Sequence, residues 1–97
     1  MLTKDQALQI LKGLRPELHQ KYHVKSIGIF GSLVRGEETG ESDVDILVEF
    51  EQPVGFFRFL ELEEFLGEKL GRKVDLVSKK ALKPRIGRHI LEELVAV

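Results

Sequence analysis

A small α+β domain, α/β-like in its alternation, with a mixed β-sheet flanked by helices, is the fold class the sequence predicts. Three observations carry it. Two runs, Val24–Phe30 (VKSIGIF) and residues 43–50 (DVDILVEF), alternate apolar with polar and are rich in β-branched residues, as strands are. Three other stretches repeat apolar residues at helical spacing. The resulting order of helix, strand, strand, helix, strand, helix matches neither an all-helical bundle nor a β-sandwich.

Thr3 followed by Gln6 fits a capping box, and Ala7, Ile10, Leu11, Leu14 and Leu18 recur at helical spacing after it. The chain should open with an amphipathic helix. Pro16 would remove a backbone bond and crowd the preceding turn, so a break is expected near residues 13–15, giving two pieces or one kinked piece. Val24–Phe30 should be a central strand ending at Gly31. Residues 33–35 offer one helical turn closed by Gly36, and residues 37–41, with no apolar period, read as a solvated loop. In residues 43–50, alternation puts Asp43, Asp45 and Leu47 on one face and Val44, Ile46 and Val48 on the other.

Pro53 and Gly55 mark a turn before a long helix, Phe56–Leu70, whose apolar face is expected to carry Phe56, Phe59, Leu60, Leu62, Leu66 and Leu70, with Phe57 and Phe65 off it. Gly71 is a fitting C-cap and Lys69 complements the helix dipole. Residues 72–78 form a third strand with Asp75 near its middle, able to join the aspartate face if the strands are neighbours. Pro84 starts a last helix bearing Ile86, Ile90, Leu91 and Leu94, and the chain closes apolar with Val95, Ala96 and Val97.

The 97 residues suit a single domain with one core, residues 1–97, and leave no segment for a second wall over a substrate. Fifteen basic against sixteen acidic residues create no global field, so neither a membrane nor nucleic acid is an expected partner. The basic group Lys79, Lys80, Lys83, Arg85 and Arg88 reads first as a solvated face, and otherwise as a rim for a nucleotide or an acidic partner. Cysteine is absent, which excludes disulfides, thiolate metal sites and a cysteine nucleophile. With a charged, amphipathic N-terminus the expectation is a soluble cytoplasmic protein.

Asp43 and Asp45 are costly at the head of a strand, because strands disfavour aspartate and paired carboxylates repel unless a cation lies between them. Together with Asp75 they make the oxygen-rich site that a hard divalent ion such as Mg²⁺ prefers. Gly31 lets backbone approach closely, Ser32 and the N–H groups after it offer hydrogen bonds to phosphate, and Arg35 adds either charge-assisted bonds to the same phosphates or an ion pair with the 37–41 loop. His19, His23 and His89 have no ligand spacing.

Gly31-Ser32, ten residues and Asp43-Val44-Asp45 resemble the GS-x10-DxD signature of the nucleotidyltransferase superfamily to which DNA polymerase β belongs. The surrounding text, FGSLVRGEETGESDVDILVEF and LGRKVDLVSKKALKP, is similar to the minimal nucleotidyltransferases, small domains that often act as antitoxins beside HEPN toxins. The resemblance implies the nucleotidyltransferase fold and transfer of AMP from ATP to a hydroxyl, with release of pyrophosphate. It also implies roles: Gly31 and Ser32 on the triphosphate, Asp43 and Asp45 on Mg²⁺, and Asp75 as third carboxylate, bridging a metal or accepting the proton. A tyrosine or similar side chain of a HEPN-type helical partner is the expected acceptor. Two alternatives stay open, a non-catalytic nucleotide-binding antitoxin that acts by occlusion, and transfer to a small molecule or a nucleic-acid end. A homo-oligomer is expected because a second copy could complete the site.

Overall fold

The computed structural model describes residues 2–37 and 43–97. The first helix, α1 (Lys4–Tyr22), begins at the expected capping box: the Thr3 hydroxyl accepts from the Gln6 N–H at 3.1 Å, and the Gln6 side chain accepts from the Thr3 N–H at 3.0 Å. It runs through Pro16 as one element, which excludes the two-piece form of the expectation. Pro16 itself is exposed, while Ala7 and Leu11 before it and Leu18 and Tyr22 after it are buried in one cluster. Tertiary packing on both sides therefore holds the helix across its weakest residue. Replacing Pro16 by alanine should stabilise the protein by about 2 kcal/mol, the relief of roughly 3 kcal/mol of helix-interior cost less up to about 1 kcal/mol from the freer unfolded chain. A higher urea midpoint at unchanged m-value checks this; an unchanged midpoint would mean the helix pays nothing for its proline.

The strands are β1 (Val24–Phe30), β2 (Val44–Phe50), β3 (Val74–Ser78) and β4 (Val95–Ala96), in the sheet order β3-β2-β1-β4. The pair β1–β2 is antiparallel, β2–β3 parallel and β1–β4 antiparallel, so the sheet is mixed, as expected, with β1 central. Between β1 and β2 lies the single turn α2 (Ser32–Arg35), closed by Gly36 at φ +73°. The expected loop after it lies, beyond Glu37, outside the described residues.

One face of the sheet is the core. Leu11 and Leu18 of α1 and Leu62 and Leu66 of α3 (Phe56–Leu70) bury completely against Ile29, Val44, Ile46 and Val48. The α3 phase differs from the expectation at three residues. Phe65 packs against the core, its ring 5.6 Å from that of Tyr22, because α1 lies along that side of α3; Phe56 and Leu60 are instead 69% and 41% exposed.

The other face carries Phe30, Asp45 and Asp75, and it is where α4 (Pro84–Glu93) and β4 bring the end of the chain. The strand β4 escapes sequence reading because two residues show no period. It is held by pairing of Gly28 with Ala96 and Ile29 with Val95, by the Val97 N–H donating to Ile27 O at 3.0 Å, and by Arg15 donating to Val97 O at 3.2 Å. Gly28 permits this closure, since a Cβ there would lie 2.8 Å from both Leu94 Cδ1 and Val95 O. The apolar residues of α4 do not join the core: Ile86 and Leu91 are exposed, and only Gly87 is buried, against Leu82. No helix among the described residues is long and apolar enough to cross a membrane.

Candidate active site

Strand register assembles the acidic residues. Asp45 pairs with Asp75 across the parallel β2–β3 ladder, and in-register neighbours present side chains on the same face. On its other side Asp45 pairs with Phe30, the residue before Gly31. Asp43 stands one residue ahead of β2. The expected neighbouring of the strands therefore puts Asp45 and Asp75 on one face, while Asp43 lies ahead of the ladder with its charge bearing on Asp45; Asp43 and Asp45 are half-buried and Asp75 is exposed.

The Asp45 carboxyl is held above the usual carboxylate range, first by burial, then by the charges of Asp75 and Asp43, with Arg35 opposing and Glu93 adding to the rise. This is an anionic focus short of positive charge. Among the described residues, no group of three or more His, Cys, Asp and Glu is drawn together tightly enough to hold a metal ion by itself.

Gly31 lies directly against the acids. Its φ of +80° with ψ of −152° is a conformation for glycine, and a Cβ added there would run into Asp45 Oδ2 and lie 2.9 Å from Asp45 Cγ. The space a side chain at this position would need is taken by the Asp45 carboxylate. Ser32 is half-buried at the head of α2. The Arg35 guanidinium meets Glu37 at 3.0 Å, in line with the ion-pair reading; residues 38–41 are outside the described residues.

Sequence reasoning missed Glu93. Its Oε1 accepts from the Gly31 N–H at 2.8 Å and from Arg35 Nη1 at 3.1 Å, and its Oε2 accepts from Arg35 Nη1 at 2.9 Å. The Arg35 and Gly31 bonds hold its carboxyl below the usual glutamate range. One signal was available: Glu92 and Glu93 end a helix with no basic residue in its last turn, against the helix dipole. Such a local misfit points to a partner elsewhere in the fold.

The α4 helix also builds the wall that the sequence was expected to lack. Ile86, Ile90 and Glu93 line an open cleft of about 650 Å³ together with Gly31, Arg35 and Asp45. The basic residues Lys79, Lys80, Lys83, Arg85 and Arg88 are all exposed, Lys79 lying 3.8 Å from Glu49.

With this geometry in hand, likeness to known proteins is informative. A family profile described as nucleotidyltransferase domain matches residues 11–97. Protein adenylyltransferase MntA of Thermococcus cleftensis is 47% identical over 97 residues, covering 100% of this chain and 98% of its own. A solved structure given provisionally as a minimal nucleotidyltransferase matches with a TM-score of 0.81 at 29% identity, covering 99% of this chain and 97% of that one. The structure of a tri-AMPylated Shewanella oneidensis HEPN toxin in complex with MNT antitoxin matches with a TM-score of 0.65 at 23% identity, over 93% of this chain and 66% of that one, a likeness of fold.

Proposed function

This chain belongs to the nucleotidyltransferase domain family, and from that premise we propose that it transfers AMP from ATP to a hydroxyl of a protein partner, as the antitoxin of a HEPN-type helical toxin. The observation that carries the reading is the register that sets Asp45 beside Asp75 and against Gly31, on the sheet face opposite the core. A protein acceptor is supported by the adenylyltransferase name of the 47% identical relative, and by the AMPylated toxin in the complex of like fold.

In this reading, Gly31 and Ser32 hold the triphosphate by hydrogen bonds and Arg35 adds a charge-assisted bond that orients it. The acidic focus at Asp45 suits a hard cation whose remaining positions are filled by water and substrate phosphate oxygens, so a trio of ligands from the protein alone is not required. Asp43, Asp45 and Asp75 would hold Mg²⁺, two ions by analogy with other phosphoryl-transfer sites, which neutralises phosphate charge and favours the ionised form of the attacking hydroxyl. The acceptor oxygen bonds to the α-phosphorus as the bond to the β-phosphate oxygen breaks; pyrophosphate leaves, and the hydroxyl proton passes to Asp75. The cleft wall from α4 gives the acceptor a second surface.

The test uses two labels. Incubated with its toxin partner, the protein should transfer radioactivity from ATP labelled at the α-phosphate and none from ATP labelled at the γ-phosphate. A partner that stays unlabelled with both would overturn the proposal. A second reading, an occluding module with a vestigial site, has one observation in its favour: Glu93 already occupies Gly31 N–H and Arg35. Occlusion predicts neutralisation of the toxin without ATP, and transfer predicts that neutralisation requires it.

A further inference from the structure

The Glu93 carboxylate sits where the proposed function puts a phosphate. It takes the backbone donor of Gly31 and the guanidinium of Arg35, the two groups that in that reading grip the triphosphate. A single N–H cannot give a full bond to two anions, and two anions on one guanidinium nitrogen repel each other. Glu93 and a bound phosphate therefore exclude each other at Gly31. Two effects oppose the carboxylate at this place, since it ends α4 at the negative pole of the helix and adds to the charge that already burdens Asp45, and the bonds from Gly31 and Arg35 offset them. What delivers it is the seating of the next residues on β1, where β4 pairs with Gly28 and Ile29.

Resting on the proposed triphosphate site, we propose that Glu93 is a resident anion that closes the cradle of the free protein, and that nucleotide binds by displacing it from Gly31 and Arg35. The free protein is then mostly closed, and the apparent affinity for any ligand that uses these donors is reduced by the fraction of molecules that are open. Because Glu93 belongs to the α4–β4 segment, displacement also frees one tie of that segment to the rest of the site.

The test compares wild type with Glu93→Gln, using inorganic pyrophosphate, ATP and adenosine as probes in calorimetric titrations. The neutral side chain should bind pyrophosphate and ATP about tenfold more tightly, as expected if the wild-type cradle is open roughly a tenth of the time, with adenosine binding unchanged. Equal or weaker binding of the two phosphate probes by the variant would overturn the inference, weaker binding meaning that Glu93 props Arg35 in its working position. Wild-type protein gives an independent readout by NMR. Pyrophosphate should move both the Gly31 amide resonance and the Glu93 side-chain carboxyl carbon. If the Gly31 amide moves and the Glu93 carbon does not, the displacement is wrong while the phosphate site stands. If neither protein binds either phosphate probe, the site and the inference fall together.

Discussion

Asp45→Asn will lower AMP transfer by on the order of 10³-fold, and it will raise the melting temperature of the metal-free protein. The two effects share one cause. Burial, together with Asp75 and Asp43, lifts the Asp45 carboxyl above its ordinary value, so the folded protein holds a proton there that the unfolded chain releases. As pH rises from the ordinary carboxylate value through the raised one, ionisation costs the folded state progressively more, and at neutral pH the whole penalty is present. Asparagine removes it. The variant should therefore melt higher than wild type at pH 7 in EDTA, by a margin that solvent screening of this half-exposed carboxyl keeps small, and the gap should close as the pH falls towards the ordinary carboxylate value. Calorimetric scans across that range check the sign, and a variant less stable than wild type at neutral pH would refute it. Mg²⁺ should reverse the ranking by stabilising wild type and leaving Asp45→Asn where it was, because only the protein that binds the ion gains from it. Adding Asp43→Asn should remove the remaining transfer without unfolding the chain.

Those aspartates are legible in the sequence because their pattern is local. Alternation places Asp43 and Asp45 on one side of β2, and the run around Asp75 announces a strand, although its pairing with β2 enters only as a condition. The limits of α3 and β1 also follow from period, since both are bounded by glycine or a change of pattern. The misses concern interactions that sequence distance hides. An unbroken α1 depends on burial at both ends of the helix, which outweighs a proline in the middle. Phe65 is half-buried against the core because α1 lies beside α3, a fact of packing and not of α3's own sequence. Glu93 lies 62 residues from Gly31 and reaches it only through β4, whose two residues give no signal. Without β4 the last helix has no stated destination, and its role as the cleft wall stays hidden.

Gly31→Ala will be the most damaging single change at the candidate site for stability and activity together. Two costs coincide. The backbone conformation, φ +80° and ψ −152°, is one that an L side chain occupies at a cost of about 1 to 3 kcal/mol. The added methyl then collides with the carboxylate of Asp45, whose Cγ it would approach to 2.9 Å. Relief requires either Asp45 to swing away or β1 and β2 to shift at their ends, and a displacement of about 1 Å at reacting groups is enough to lose on the order of 10²-fold in kcat/KM. A double-mutant cycle separates the two costs. In the background of Asp45→Ala the clash with the carboxylate is gone, leaving the backbone strain and a tight 3.2 Å approach to the Cβ of residue 45, so Gly31→Ala should cost less there than in wild type, with a coupling of about 1 kcal/mol or more in urea denaturation. Additive costs would mean that the collision is avoided without strain, and that the glycine is present for its backbone conformation alone.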